Sequence, residues 1–143
     1  MNLDNLKEIH ALVEARYETR RQAFQRLVKK ENDLRQELRR LDDQARSANL
    51  QGDTDMQTIG ADVIWKAWVG KAKTSLNIKL ALILAEKEQH IRQVKQAYGK
   101  VIAAEKLIGD LSREQIKRVE KKSLDDAMIA AIFGSSSSQT SSD

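Results

Sequence analysis

Along the first fifty residues, covered positions recur in alternating steps of four and three: Leu6, His10, Val13, Tyr17, Arg20, Phe24, Leu27, Glu31, Leu34, Leu38, Leu41, Ala45 and Ala48. Held for about six heptads, this spacing predicts a coiled-coil helix over residues 3–48. His10, Arg20 and Glu31 are polar interruptions of that seam, of the kind that lowers stability and fixes register and partner number.

The pattern stops at "NLQGDTDMQTIGAD", residues 49–62, where Asn49, Gly52 and Gly60 supply turn chemistry and Asp62 is placed to cap a second helix. A second seam follows through Trp65, Val69, Ala72 and Leu76, then Leu80, Ile83, Lys87, His90, Val94, Ala97, Val101, Ala104, Ile108 and Leu111, with one extra residue between Leu76 and Leu80. The expected architecture is all-α: a long antiparallel two-helix coiled-coil hairpin, extended as a rod, with helix 1 at 3–48, a loop at 49–62 and helix 2 at 63–122. If residue 48 lies opposite residue 63, facing residues have numbers adding to about 111, and positions 111–122 overhang by about 18 Å. After the basic stretch "LSREQIKRVEKK", the spacing of Ser123 and Asp126 suggests either a restarted short amphipathic helix at 123–133 or a fraying continuation of helix 2. The Ser-rich stretch 134–143 has nothing to bury and reads as disordered.

Composition supports the helical reading. The 143 residues include no proline, which breaks helices, and no cysteine, which excludes disulfides and thiolate chemistry. Lys and Arg exceed Asp and Glu by 14 to 6 in residues 63–122, whereas the first helix is nearly balanced at 11 to 9. That excess is either a solvated surface with some cross-helix pairing or a means of steering toward an acidic partner.

No catalytic inventory is present: no Gly-rich phosphate loop, no nucleophile elbow and no paired metal histidines. His10 and His90 fall about 16 Å apart in the expected register and cannot share a metal; each reads as a hydrogen-bonded seam histidine. "DTD" at 53–55 lacks the glycine and distal glutamate of a calcium loop. The chain is expected to be no enzyme and to need no cofactor. A basic-zipper DNA reader is excluded because acids interleave with bases and the seam folds back on itself. The longest apolar run, Ala127 to Phe133, is far short of a membrane span, and the acidic start "MNLDNLKEIH" is not a signal peptide, so a cytoplasmic protein is expected.

The two tryptophans stand apart from this inventory. Trp65 continues the seam and should face inward beneath the loop, against Leu41, Ala45, Met56 or Ile59. Trp68, about 300° further round the helix, falls on the shoulder of the seam. There it is either ordinary flank packing or, with Lys71 and Lys73, an exposed anchor for a partner.

The arrangement, above all "DVIWKAWVGKAKTSLNIKLALILAEKEQHIRQVKQAYGKVIAAEKL" after "ARYETRRQAFQRLVKKENDLRQEL", resembles the FliJ/YscO family over about residues 3–122. These are the coiled-coil stalk proteins of flagellar and type III secretion export ATPases. The resemblance implies a non-catalytic protein that stands in a hexameric export ATPase and promotes its activity. It further implies reach toward the export-gate membrane protein, contact with export chaperones, and a peripheral position at the inner membrane. The family supplies no residue to carry over, so the candidate contacts come from placement. Arg113, Lys117, Arg118, Lys121 and Lys122, followed by Met128, Ile129, Ile132 and Phe133, would enter the ring; Trp68, Lys71 and Lys73 would meet the gate. A rotor stalk of another rotary ATPase and a generic cytoplasmic coiled-coil adaptor share the same pattern.

Overall fold

The structure, a computed structural model, describes residues 2–50 and 56–137, with side chains described for 2–48 and 60–135. It consists of two helices, α1 (Leu3–Leu50) and α2 (Met56–Ser137), joined as an antiparallel hairpin. Asn2 caps α1. Its side-chain oxygen accepts the Asn5 N–H at 2.8 Å, and its carbonyl accepts the Leu6 N–H at 3.2 Å, satisfying two of the donors that a helix start leaves open.

Two boundaries differ from the sequence expectation. The loop expected at 49–62 is shorter: α2 begins at Met56, so Gly60 and Asp62 are helical, and Asp62 pairs with Lys66 one turn on at 3.2 Å instead of capping. A lone glycine costs a helix about 1 kcal/mol, too little to stop one that is already propagating. Asn49 belongs to α1, whereas Gly52 lies outside the described residues, as do the side chains of Met56 and Ile59. Of the two readings of 123–133, the structure shows the continuation of helix 2 and not the restart at Ser123. α2 runs unbroken through 123–133 to Ser137, because Ser123, Asp125 and Asp126 offer caps but no proline or positive-φ glycine forces the helix to end. Of the tail expected to be disordered, 134–137 are helical and 138–143 lie outside the described residues.

Contacts divide the hairpin into two units, Ala15–Tyr98 and Met1–Glu14 with Gly99–Asp143. In the first, Leu27, Leu41, Val69, Leu76 and Ala97 are buried between the helices; in the second, Leu6, Val101 and Ala104 are. Each unit is a single seam one side chain deep, and no described side chain is completely enclosed.

The pairing register lies about one turn further along α2 than expected. Facing residues have numbers adding to 113 for Arg20 and Gln93 and to 115 for Tyr17 and Tyr98. The same sum is 115 for Asp42 and Lys73, and 118 for Glu31 and Lys87. In the other unit, His10 faces Glu105, again adding to 115. Leu3 therefore stands level with about residue 112 of α2, and from Arg113 onward every described residue is exposed.

Candidate interaction surfaces

The seam carries its polar interruptions in pairs. Glu31, only 8% exposed, accepts the Lys87 ammonium at 2.6 Å from the opposite helix and the Arg35 guanidinium at 3.0 Å from its own. The hydrogen bond from Lys87, then that from Arg35, holds the Glu31 carboxyl below its ordinary value, outweighing the opposing effect of burial. Lys87 also lies over the Phe24 ring at 5.9 Å, so one cation serves two neighbours on α1. Arg20, the exposed interruption, reaches across to donate to the Gln93 carbonyl at 2.8 Å. An α1 that slid along α2 would lose these bonds and leave Glu31 buried without a cation, so the cluster fixes the register locally.

Among the expected seam residues, Leu41, Leu76 and Val101 are buried, and Leu34, Leu38, Trp65, Leu80, Ile83 and Val94 are half-buried. His10 is half-buried, with Nε2 at 3.4 Å from Glu105 and Nδ1 at 3.8 Å from Glu14. His90 differs: its Nδ1 is buried with no hydrogen-bond partner among the described residues.

Near the start of α2 the two tryptophans stack on each other, ring centroids 5.2 Å apart and planes 20° from parallel. Trp65 is the inner ring, with a buried indole N–H that meets no partner among the described residues, and Trp68 is the outer, 53% exposed. Stacking between positions three apart follows from their adjacency on the helix surface. Of the two lysines grouped with Trp68, Lys71 is exposed and makes no ion pair among the described residues. Lys73 is turned the other way and paired with Asp42 of α1, which removes it from the outward contact expected of it.

The far end of α2 is an arm that runs past the start of α1. Arg113 and Arg118 are held by Asp110 and Glu114 of the same helix, exposed pairs that solvent keeps weak. Lys117, Lys121 and Lys122 are exposed and make no ion pair among the described residues. Then come seven consecutive apolar residues, Ala127 to Phe133. At 100° per residue the large side chains, Met128, Ile129, Ile132 and Phe133, fall within an arc of about 140°, with Ala127, Ala130 and Ala131 on the rest of the circumference, and the four are 52–69% exposed. Ile116, Val119 and Leu124 are exposed as well and were not among the expected contacts. Their signal lay in the register: the seam positions after Leu111 are taken by Gln115, Arg118, Lys122 and Asp125, so apolar residues between them had to face elsewhere.

Among the described residues, no three acidic or histidine side chains gather as a metal site, and no helix is long and apolar enough to cross a membrane. In comparisons with known proteins, no family model matches the chain, and neither a curated protein nor a solved structure does.

Proposed function

We propose that the chain is a non-catalytic coiled-coil docking protein whose α2 arm is received by another protein, and that the receiver is a hexameric export ATPase of the flagellar or type III secretion kind. The observation that carries the docking role is the exposed apolar face of Met128, Ile129, Ile132 and Phe133 at the end of an arm that α1 does not cover. Four large apolar side chains along one face of a helix that its own hairpin leaves in water call for a groove on a partner. The wall of a ring's central opening can supply that groove. Lys117, Lys121 and Lys122, just before the apolar segment, favour an acidic entrance.

The narrower identity of the receiver follows from the sequence resemblance. In that reading the other end of the hairpin, with Trp68 and Lys71, faces the export gate, export chaperones are further partners, and the chain sits on the cytoplasmic side, peripheral to the inner membrane through these contacts.

The test is ATPase stimulation and ring binding by the full chain and by a variant with Ile132→Asp and Phe133→Asp, which places charge on the enclosed helix without touching the seam. Both activities should fall at least tenfold while the helical content is unchanged. Unchanged stimulation would reject the placement. Binding to a different rotary ATPase, or to a protein that forms no ring, would replace the export reading with the corresponding alternative.

A further inference from the structure

Between residues 60 and 85, α2 is apolar on two opposite sides. One side is the seam toward α1, through Trp65, Val69 and Leu76. Half a turn away lies a second row, in which Val63, Ile64, Ile78 and Leu82 are 58–72% exposed. Small residues occupy its middle, Ala67, Gly70 and Thr74. The Thr74 hydroxyl donates to the Gly70 carbonyl at 2.9 Å, so it asks nothing of a partner. A Cβ added at Gly70 would meet no atom within 4 Å, so nothing in the hairpin itself requires a glycine there; the gap suits the close approach of another helix. Lys71 is the row's single charge, and beyond Ala85 the row turns polar at Gln89 and Arg92, which bounds it.

We infer that this face pairs two copies of the chain, antiparallel, about a two-fold axis level with residues 72 and 73. The row fits its own reverse. When facing residues have numbers adding to 145, Ala67 lies opposite Ile78 and Ile64 opposite Ala81, so small side chains meet large ones, and Val63 lies opposite Leu82 as an apolar pair at each end of the row. Lys71 then lies opposite Thr74 and meets no like charge. On the flank, Trp68 of one copy comes beside Lys79 of the other, a favourable cation–ring contact. A parallel pair would instead set Lys71 against Lys71 and Ile64 against Ile64. Because a two-fold contact repeats every interaction, one self-complementary row suffices. Four branched side chains and half an indole offer on the order of 400–500 Å² per copy. The pair then covers close to the roughly 1,000 Å² at which specific interfaces begin, which makes a dimer that dissociates on dilution. The inference does not depend on what the terminal arm binds. It does place Trp68 in a contact that excludes the gate contact proposed above.

The absence of cysteine makes the test clean, since one introduced cysteine reports only on the second copy. In the full chain, Thr74→Cys should form an intermolecular disulfide, its two positions being offset by only about 4.5 Å along the helices. A spin label at Ala85→Cys should give an inter-label distance of roughly 40 Å, from the axial rise over the 25 positions that separate it from its own mate. A parallel dimer would give about 10 Å at both positions and overturn the proposal. Ala67→Ile alone and Ile78→Ala alone should each weaken dimerisation on the order of tenfold in sedimentation, whereas the double exchange should restore it. All three should keep the wild-type helical content, because both positions face solvent in the single chain. Failure of the double exchange to restore association overturns the register. A chain that stays monomeric at several hundred micromolar overturns the dimer, leaving the face to a different protein.

Discussion

Two stretches of α2 hold similar side chains in opposite circumstances. Between Val69 and Val101, apolar residues are spaced three and four apart, and those on the seam are buried or half-buried by α1; between Ala127 and Phe133 they are consecutive, and every one is exposed. The exposed stretch is the more hydrophobic of the two. Exposure here therefore reflects the end of α1, whose Leu3 stands level with about residue 112, and not a lack of material to bury. A seam spaced for one partner is complete when that partner is present, whereas an exposed face of large apolar side chains is incomplete until something covers it.

The sharpest way to break that contrast is to truncate one residue in each stretch. Leu76→Ala removes a buried seam side chain and should cost about 3 kcal/mol in denaturant unfolding. An equal cost for Ile132→Ala would mean that the arm is packed within the chain after all.

The tryptophan pair offers an intermediate case, because one ring belongs to the seam and the other leans on it. Trp65→Ala should cost about 2 kcal/mol, since the inner ring is half-buried. Trp68→Ala should cost about 1 kcal/mol, the worth of a stacked aromatic neighbour. Thermal melts that rank the two the other way round would place Trp68 in the seam.

Acid should act on the paired stretch. The Glu31 carboxyl is held below its ordinary value of 4.5 in the folded chain, so its contribution to stability is present above 4.5 and is lost as pH falls through the lower folded value. Glu31→Gln should flatten the loss of stability below pH 4.5, and an unchanged acid limb would show that Lys87 does not hold the carboxylate. The smallest effect is expected in the arm, where Ile132→Ala should change stability by no more than about 0.5 kcal/mol.

The seam was legible in the sequence because its period is a property of single residues: Leu6, Leu27, Leu41, Val69, Leu76 and Val101 could be counted off before any partner was known. Where the seam ends was legible too, in the polar residues Gln115, Arg118, Lys122 and Asp125 that take over its positions. What could not be read was set by competition between weak preferences. Gly60, Asp62, Ser123 and Asp126 each favour a helix boundary by an amount that the propagation of a long helix overrides. The one-turn offset in register is set by pairs across the seam, and the Glu31–Lys87 pair among them joins positions 56 residues apart, beyond the reach of any local pattern. The fate of Lys73 depended on Asp42 across the seam, which no local pattern signals. The second face between residues 60 and 85 does have a helical period, but the stronger seam on the opposite side masks it.

Amide hydrogen exchange along α2, with and without the export ATPase proposed as its receiver, tests the central claim most directly. In the free chain, amides from about Val69 to Val101 should exchange slowly and those from Arg113 to Phe133 should exchange at least a hundredfold faster, as expected of a helix with no packed face. Addition of the ATPase should slow the arm by a comparable factor and leave the seam as it was. An arm that is already as protected as the seam in the free chain, or one that the ring leaves unprotected, would contradict the account.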